Sequence, residues 1–213
     1  MTEPASDIFF TCFPVGPLQC NCSIIGDKVS KKAIVVDPGG DAARILSILR
    51  EQDLKLVAII HTHGHLDHIL ASGQLKEATG AEIKIHQDDK FLWDTVEQQC
   101  RAFGVPFTPL PPPDAWLVDD ETLPCCGVAM HTPGHTPGST SFWFKEQKLL
   151  IAGDTLFSRS IGRTDFPGGS FEQIIKSIRE RLFTLDEDTR VITGHGPATT
   201  IGEELRENPF VRA

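Results

Sequence analysis

His61-Thr62-His63-Gly64-His65-Leu66-Asp67-His68 is the stretch on which the reading of this 213-residue sequence turns. It carries four of the chain's eight histidines and follows directly on Leu56-Val57-Ala58-Ile59-Ile60, an unbroken apolar run rich in branched residues. Such a run reads as a strand covered on both faces. Five imidazole and carboxylate groups crowded at the end of a buried strand are costly to strip of water unless a cation binds them. Side chains two apart in an extended stretch point the same way, so His63 and His65 can clasp one ion, with Gly64 letting the backbone pass close to it. Asp67 and His68 lie at the turn into the next helix and aim toward a second ion. Neutral imidazole and carboxylate oxygen suit zinc, iron or manganese, and the lack of a thiolate partner argues against a closed structural zinc site.

Outward from this cluster, short apolar runs alternate with turn signals. Residues 8–13, 22–25 and 33–36 read as strands, the third closed by Asp37-Pro-Gly-Gly. Residues 41–52 carry Ala42, Ile45, Leu46 and Leu49 at helical spacing, and residues 69–78 resume that period. Glu82–His86 is a further strand. Residues 103–113 hold five prolines, which predicts an irregular segment that wraps the surface or borders the site. Strands follow at 116–118, 128–131, 141–144, 149–151 and 190–193, with helices at 171–183 and 201–206. Strands in two groups, each followed by helices, suggest two sheets packed face to face with helices outside. With no repeat and no linker, residues 1–213 read as one domain.

Bulk properties narrow the partners. Twenty basic against 29 acidic residues give a net charge of −9, which makes nucleic acid and anionic membrane poor partners. No apolar run approaches the roughly 20 residues of a membrane span. The N-terminus lacks the basic start and apolar stretch of a signal peptide, so a cytoplasmic location is expected. The six cysteines include no Cys-x-x-Cys pair and read as reduced fillers rather than redox or zinc-thiolate groups.

Three more short strands end in glycine-flanked loops that carry a His or Asp. They are His131-Thr-Pro-Gly-His135, Gly153-Asp154-Thr and Gly194-His195-Gly. Together with residues 63–68 they make one rim of strand-end loops. This set of His63, His65, Asp67, His68, His135, Asp154 and His195 resembles the full ligand set of the metallo-β-lactamase superfamily. Val36-Asp-Pro-Gly-Gly and Gly153-Asp-Thr-Leu-Phe look like its glyoxalase II (hydroxyacylglutathione hydrolase) branch, and the short bacterial proteins within it. The likeness runs from about residue 8 to the C-terminus. It implies a four-layer αβ/βα sandwich of two mixed sheets flanked by helices. Two divalent metal ions, zinc first and iron or manganese next, are implied with it. His63, His65 and His135 would hold one ion, Asp67, His68 and His195 the other, and Asp154 would bridge them. Asp37 is either the superfamily's early aspartate, supporting the ligands from behind, or a turn residue before Pro38. His61, His131 and His86 fit no ligand position.

Two dications roughly 3.5–4 Å apart share a water and lower its pKa toward neutrality, and one can also polarise a carbonyl. The implied reaction is attack of a metal-bridging hydroxide on a thioester such as S-D-lactoylglutathione, with Asp67 orienting the nucleophile. The additional C-terminal helical region of the longer glyoxalase II enzymes is expected to be largely missing here, and the sequence contains no tyrosine. Where those enzymes have Lys and Tyr soon after the bridging Asp, Arg163 and Asp165 stand here. Arg163 is a cation for a substrate carboxylate or a surface arginine fixing its loop through Asp165. Ile161-Gly-Arg-Thr-Asp-Phe also looks like the persulfide dioxygenases of the superfamily. Those hold a single iron through the equivalents of His63, His135 and Asp154 and oxidise glutathione persulfide. The Pro-Gly-Gly-Ser run after Phe166 and the C-terminal Asn-Pro-Phe favour the hydrolase.

Overall fold

The structure is a computed structural model and describes residues 7–211. In chain order the elements are β1 (Ile8–Val15), β2 (Cys20–Asp27), β3 (Lys32–Val36), α1 (Ala42–Glu51), β4 (Lys55–Ile60), α2 (Leu66–Ile69), α3 (Ser72–Thr79), β5 (Glu82–His86), α4 (Lys90–Asp94), α5 (Val96–Phe103) and β6 (Ala115–Leu117). The second half holds β7 (Val128–His131), β8 (Thr140–Phe144), β9 (Leu149–Gly153), β10 (Leu156–Phe157), β11 (Ser160–Ile161), α6 (Phe171–Ser177), β12 (Arg190–Thr193), β13 (Thr199–Thr200) and α7 (Ile201–Glu207).

The strands form two mixed sheets and a separate two-stranded ribbon of β10 and β11. One has the order β1-β2-β3-β4-β5-β6, antiparallel through β3 and parallel from there. The other has the order β13-β12-β9-β8-β7, in which only β12 and β9 run parallel. Period-two side-chain alternation sorts the core into three slabs. Ala33, Val35, Ile59, Ile83 and Ile85 face outward from the first sheet onto Ile45, Leu49, Leu75 and Val96 of its helices. Ile34, Val36, Ala58 and Ile60 face inward, against Phe142, Phe144, Ile151 and Ile192 of the second sheet. Leu150, Ala152 and Val191 face outward again, onto Ile174, Ile178 and Ile201. Three apolar slabs between four layers are the αβ/βα sandwich expected from the sequence.

Register then sets the rim. β3 and β4 are parallel with Val36 beside Ile60, so the chain leaves both at one level and the Asp37 N–H reaches the Ile60 carbonyl at 3.1 Å. β9 and β12 are parallel with Gly153 beside Thr193, which delivers Asp154 and His195 side by side. Two backbone bonds tie the sheets at this edge: Thr140 N–H to Thr62 O at 2.8 Å, and Asn21 N–H to Gly194 O at 2.7 Å.

Some expectations differ from the structure. The helix read over 69–78 is two pieces, α2 and α3, and α2 begins at Leu66, so Asp67 and His68 lie inside its single turn. The helix read over 171–183 is α-helical only to Ser177 and then widens to a π turn over Ile178–Leu182. The proline-rich segment does both things expected of it: Phe103, the last residue of α5, lines the pocket over the site, whereas Pro109 and Pro111 pack on Gly73 of α3 and the Pro111 carbonyl accepts from Trp93. Helices α4 and α5 and the β10–β11 hairpin had no counterpart in the sequence reading. Among the described residues no helix is long and apolar enough to cross a membrane.

Phe142 is fully buried between the sheets. Truncation to Ala removes contacts from both and leaves a cavity that close packing cannot refill. We expect Phe142→Ala to lose about 3–5 kcal/mol of unfolding free energy in urea titrations. A loss below about 1 kcal/mol would mean that the sheets do not pack through this residue.

Candidate metal centre

All seven candidate ligands meet at the rim. Ligand atoms of His63, His65 and His135 lie within 4.8 Å of one another, and so do those of Asp67, His68 and His195. His135 Nε2 is 3.0 Å from His65 Nδ1, and His195 Nε2 is 3.0 Å from Asp67 Oδ2. Asp154 stands between the two trios and divides its oxygens. Oδ2 is 3.6 Å from His135 Nε2, whereas Oδ1 is 3.6 Å from His68 Nε2 and 4.0 Å from His195 Nε2.

The far edges of the rings are fixed by the protein. Asp37 is buried and takes a left-handed φ of 53°. Its carboxylate accepts from the Thr62 N–H at 2.7 Å and the Thr62 hydroxyl at 2.6 Å, and lies 3.0 Å from His68 Nδ1. Thr62 Oγ1 in turn lies 3.1 Å from His63 Nδ1. Asp37 is a turn residue, and its carboxylate also stands behind two of the candidate ligands, His63 and His68. His135 Nδ1 is held at 2.8 Å by the carbonyl of Arg163. With each Nδ1 so engaged, the Nε2 edges of His63, His68 and His135 face the centre.

Three buried atoms there lack any hydrogen-bond partner: His63 Nε2, His68 Nε2 and Asp154 Oδ1. Buried acceptors are normally satisfied, so three orphans converging on one space fit a cation. Protonation states agree for His63 and His65, whereas the burial of His68 is outweighed by Cys20, Asp67 and Asp37, which raise it well above the usual histidine range. Burial, and then the neighbouring imidazoles, push His63 well below the usual histidine range, and the same causes bring His65 to about 3. Both are neutral donors of a lone pair at pH 7. Burial favours the neutral form of Asp67, yet His68 and His195 outweigh it and hold the carboxyl below its usual range.

Two other clusters lack this form. Cys20 Sγ is 3.4 Å from His68 Nδ1, but burial lifts its thiol to about 12, so it remains protonated behind the ligand. His86 and His131 stack at 4.1 Å with planes only 7° apart, so their in-plane lone pairs cannot converge.

Sequence reasoning missed Asp89 and Gln99. The buried Asp89 carboxylate accepts from Gly64 N–H, the Thr136 hydroxyl and Gly138 N–H at 2.9, 2.7 and 2.7 Å. It thereby joins the His63–His65 loop to the His135 loop. Gln99 Oε1 accepts from Leu66 N–H at 3.0 Å, between His65 and Asp67. Gly64 also has another role than the one expected. A Cβ there would meet Leu92 Cβ at 2.8 Å and the Asp89 carbonyl at 3.1 Å, so the close approach is to the 89–92 segment. Arg163 is forked onto Asp165 by two bonds of 2.7 Å and stacks on Phe166 at 3.9 Å. The local pairing foreseen for it is present, and its guanidinium lines the rim of the pocket above the cluster.

The sequence profile of the metallo-beta-lactamase superfamily matches residues 15–195. The chain belongs to that family. A hydroxyacylglutathione hydrolase of Haemophilus influenzae, GloC, is 44% identical over 205 residues, covering 94% of this chain and 96% of that protein. Among solved structures, the BLEG-1 B3 metallo-beta-lactamase has a TM-score of 0.88 at 36% identity, covering 96% of this chain and all of that one (100%). TTHA1623 in a di-iron-bound form has a TM-score of 0.87 at 34% identity, covering 94% and 99%. ETHE1 from Myxococcus xanthus has a TM-score of 0.78 at 29% identity, covering 94% and 83%.

Two outcomes follow from these contacts. Asp89→Ala leaves the Gly64 and Gly138 N–H groups unpaired in two candidate-ligand loops and should weaken zinc binding about 10- to 100-fold in chelator competition. An unchanged affinity would reduce Asp89 to a loop brace. His61 is buried with Nδ1 3.1 Å from the His68 carbonyl and Nε2 3.1 Å from Ser72 Oγ. Burial is the main cause of its fall to about 4. The unfolded chain then binds more protons between pH 6.5 and 4, so this contribution is present above 6.5 and is lost as pH falls toward 4. It amounts to about 3 kcal/mol at 1.36 kcal/mol per pKa unit. His61→Gln should accordingly show a shallower loss of stability across that window in urea titrations with chelator. Identical slopes would contradict the assignment.

Proposed function

We propose that this chain is a metal-dependent thioester hydrolase of the glyoxalase II kind, cleaving S-D-lactoylglutathione or a related acyl thioester with water to give a carboxylic acid and a thiol. The carrying observation is the convergence of three orphaned buried atoms, His63 Nε2, His68 Nε2 and Asp154 Oδ1, within a cluster of four further ligand groups. His63, His65 and His135 would hold one divalent cation and Asp67, His68 and His195 a second, with one oxygen of Asp154 toward each. Zinc suits this donor set, as do iron and manganese, and the di-iron form of TTHA1623 supports iron. Such a pair, when bound, supplies a water acidic enough to attack at neutral pH and a Lewis acid for the carbonyl. The protein's own part is placement. Asp67, kept ionised beside His195, orients the attacking water through its carboxylate. Asp37 fixes the rings behind it, and the pocket above excludes bulk water. Arg163, at the rim, is the candidate contact for a substrate carboxylate only where that carboxylate displaces Asp165. The named activity of the Haemophilus influenzae relative supports this choice of reaction.

The likeness to ETHE1 favours a second reading, a persulfide dioxygenase holding one iron through His63, His135 and Asp154. Metal quantification on purified protein, with parallel assays on S-D-lactoylglutathione and glutathione persulfide, separates the two. The hydrolase reading expects two metal equivalents. It also expects thioesterase activity that falls at least about 100-fold on chelation or in His63→Ala, more than loss of a group merely supporting a ligand. One tightly held iron with oxygen uptake on the persulfide would overturn it.

A further inference from the structure

The pocket above the histidine and aspartate cluster encloses about 480 Å³, the size of a small-molecule site. Its walls come from the β1–β2 turn, α4, α5 and the loop after β11, and they are apolar. Leu18, Phe91 and Phe103 are 37%, 40% and 53% exposed, yet these residues from three separate segments converge on this one mouth. Exposed apolar side chains gathered at a concave site mark a binding surface. The polar groups of the wall are turned inward. The Thr95 hydroxyl donates to the Phe91 carbonyl at 2.7 Å. The Gln99 amide is spent on the carbonyls of Gly64 and Leu92 and the N–H of Leu66. Gln98 is the remaining amide.

Arg163, the one lysine or arginine lining the pocket among the described residues, is paired with Asp165, and Lys90 and Arg101 on α4 and α5 are paired with Asp94 and Glu97. Glutathione carries two carboxylates and an ammonium. Burying those groups against phenyl rings without counter-charges is unfavourable.

We infer that the substituent of the thioester seated in this pocket is apolar or aromatic, and that the chain selects such thioesters over S-D-lactoylglutathione. The inference rests on the hydrolase reading and narrows its substrate class. Water adds to the thioester carbonyl, the C–S bond breaks, and the thiol and the acid leave as two products; an apolar group on either side of that bond meets Leu18, Phe91 and Phe103.

The test uses the zinc-loaded protein and two thioester series. One varies the acyl group (acetyl, butyryl, phenylacetyl) on N-acetylcysteamine. The other varies the thiol on a fixed acetyl group. In at least one series kcat/KM should rise about 10- to 100-fold from methyl to benzyl size, the range expected for burying a phenyl group, and its best member should exceed S-D-lactoylglutathione. Phe91→Ser with Phe103→Ser should erase most of that rise, with the loss appearing in KM rather than in kcat. Both side chains are partly exposed, so the double variant should fold. Titration calorimetry with the non-hydrolysable S-benzyl and S-methyl thioethers of N-acetylcysteamine reads the same preference without turnover. Flat series together with equal thioether affinities would overturn the inference and leave the hydrolase intact. Preferential binding of the benzyl thioether with no hydrolysis of any thioester would overturn the hydrolase and leave the pocket's preference standing.

Discussion

The Asp37 carboxylate is buried at the end of β3, one strand away from the loop it organises. It accepts from both the backbone and the side chain of Thr62 and sits against His68. Through Thr62 it sets the ring of His63, and through its own oxygen the ring of His68. A carboxylate can do this only because parallel register brings Val36 and Ile60 level. The backbone must then turn through a left-handed φ that aspartate tolerates better than most residues. Sheet geometry, a strained turn and imidazole orientation are thus one constraint, with the candidate ligands at its far end.

Legibility in the sequence followed the strength of the local physics. The strands of the central slab were readable because branched residues run unbroken into His61-Thr-His-Gly-His-Leu-Asp-His68, where apolar content stops abruptly. Strand grouping suggested two facing sheets with helices outside, and glycine-flanked strand ends suggested a rim of loops, but the assignment of ligands to two ions came from family resemblance, since nothing local says that residues 135, 154 and 195 are neighbours. Glycine carries that information in the structure. A Cβ on Gly39 would lie 1.4 Å from the Asp67 carbonyl, and one on Gly194 would lie 1.8 Å from Asp154 Oδ1. These are contacts across the fold, and a sequence shows only that a glycine is there.

What stayed hidden was short or polar. α4 has five residues and α5 eight, lengths at which helical periodicity barely completes two turns. Asp89 sits in a run of charged and amide residues, Gln87-Asp-Asp-Lys90, that looks like a solvated face. Only the folded chain shows its carboxylate buried between two loops 72 residues apart, from Gly64 to Thr136. The helix break before α3 was equally invisible. It arises because the Pro38 carbonyl, from a distant turn, takes the Ala71 N–H at 2.9 Å.

Gln99 gives the pocket wall a mechanical property. One amide grips the Gly64 carbonyl, the Leu66 N–H and the Leu92 carbonyl, so α4, α5 and the loop holding His65 and Asp67 are tied to one another. The surface that shapes what enters is latched to the surface that would react with it. Remodelling one without disturbing the other is therefore harder here than in a scaffold where specificity rides on a detached loop. Divergence toward new substrates along this branch should proceed through exposed wall positions such as Phe91 and Phe103, and leave the latch in place.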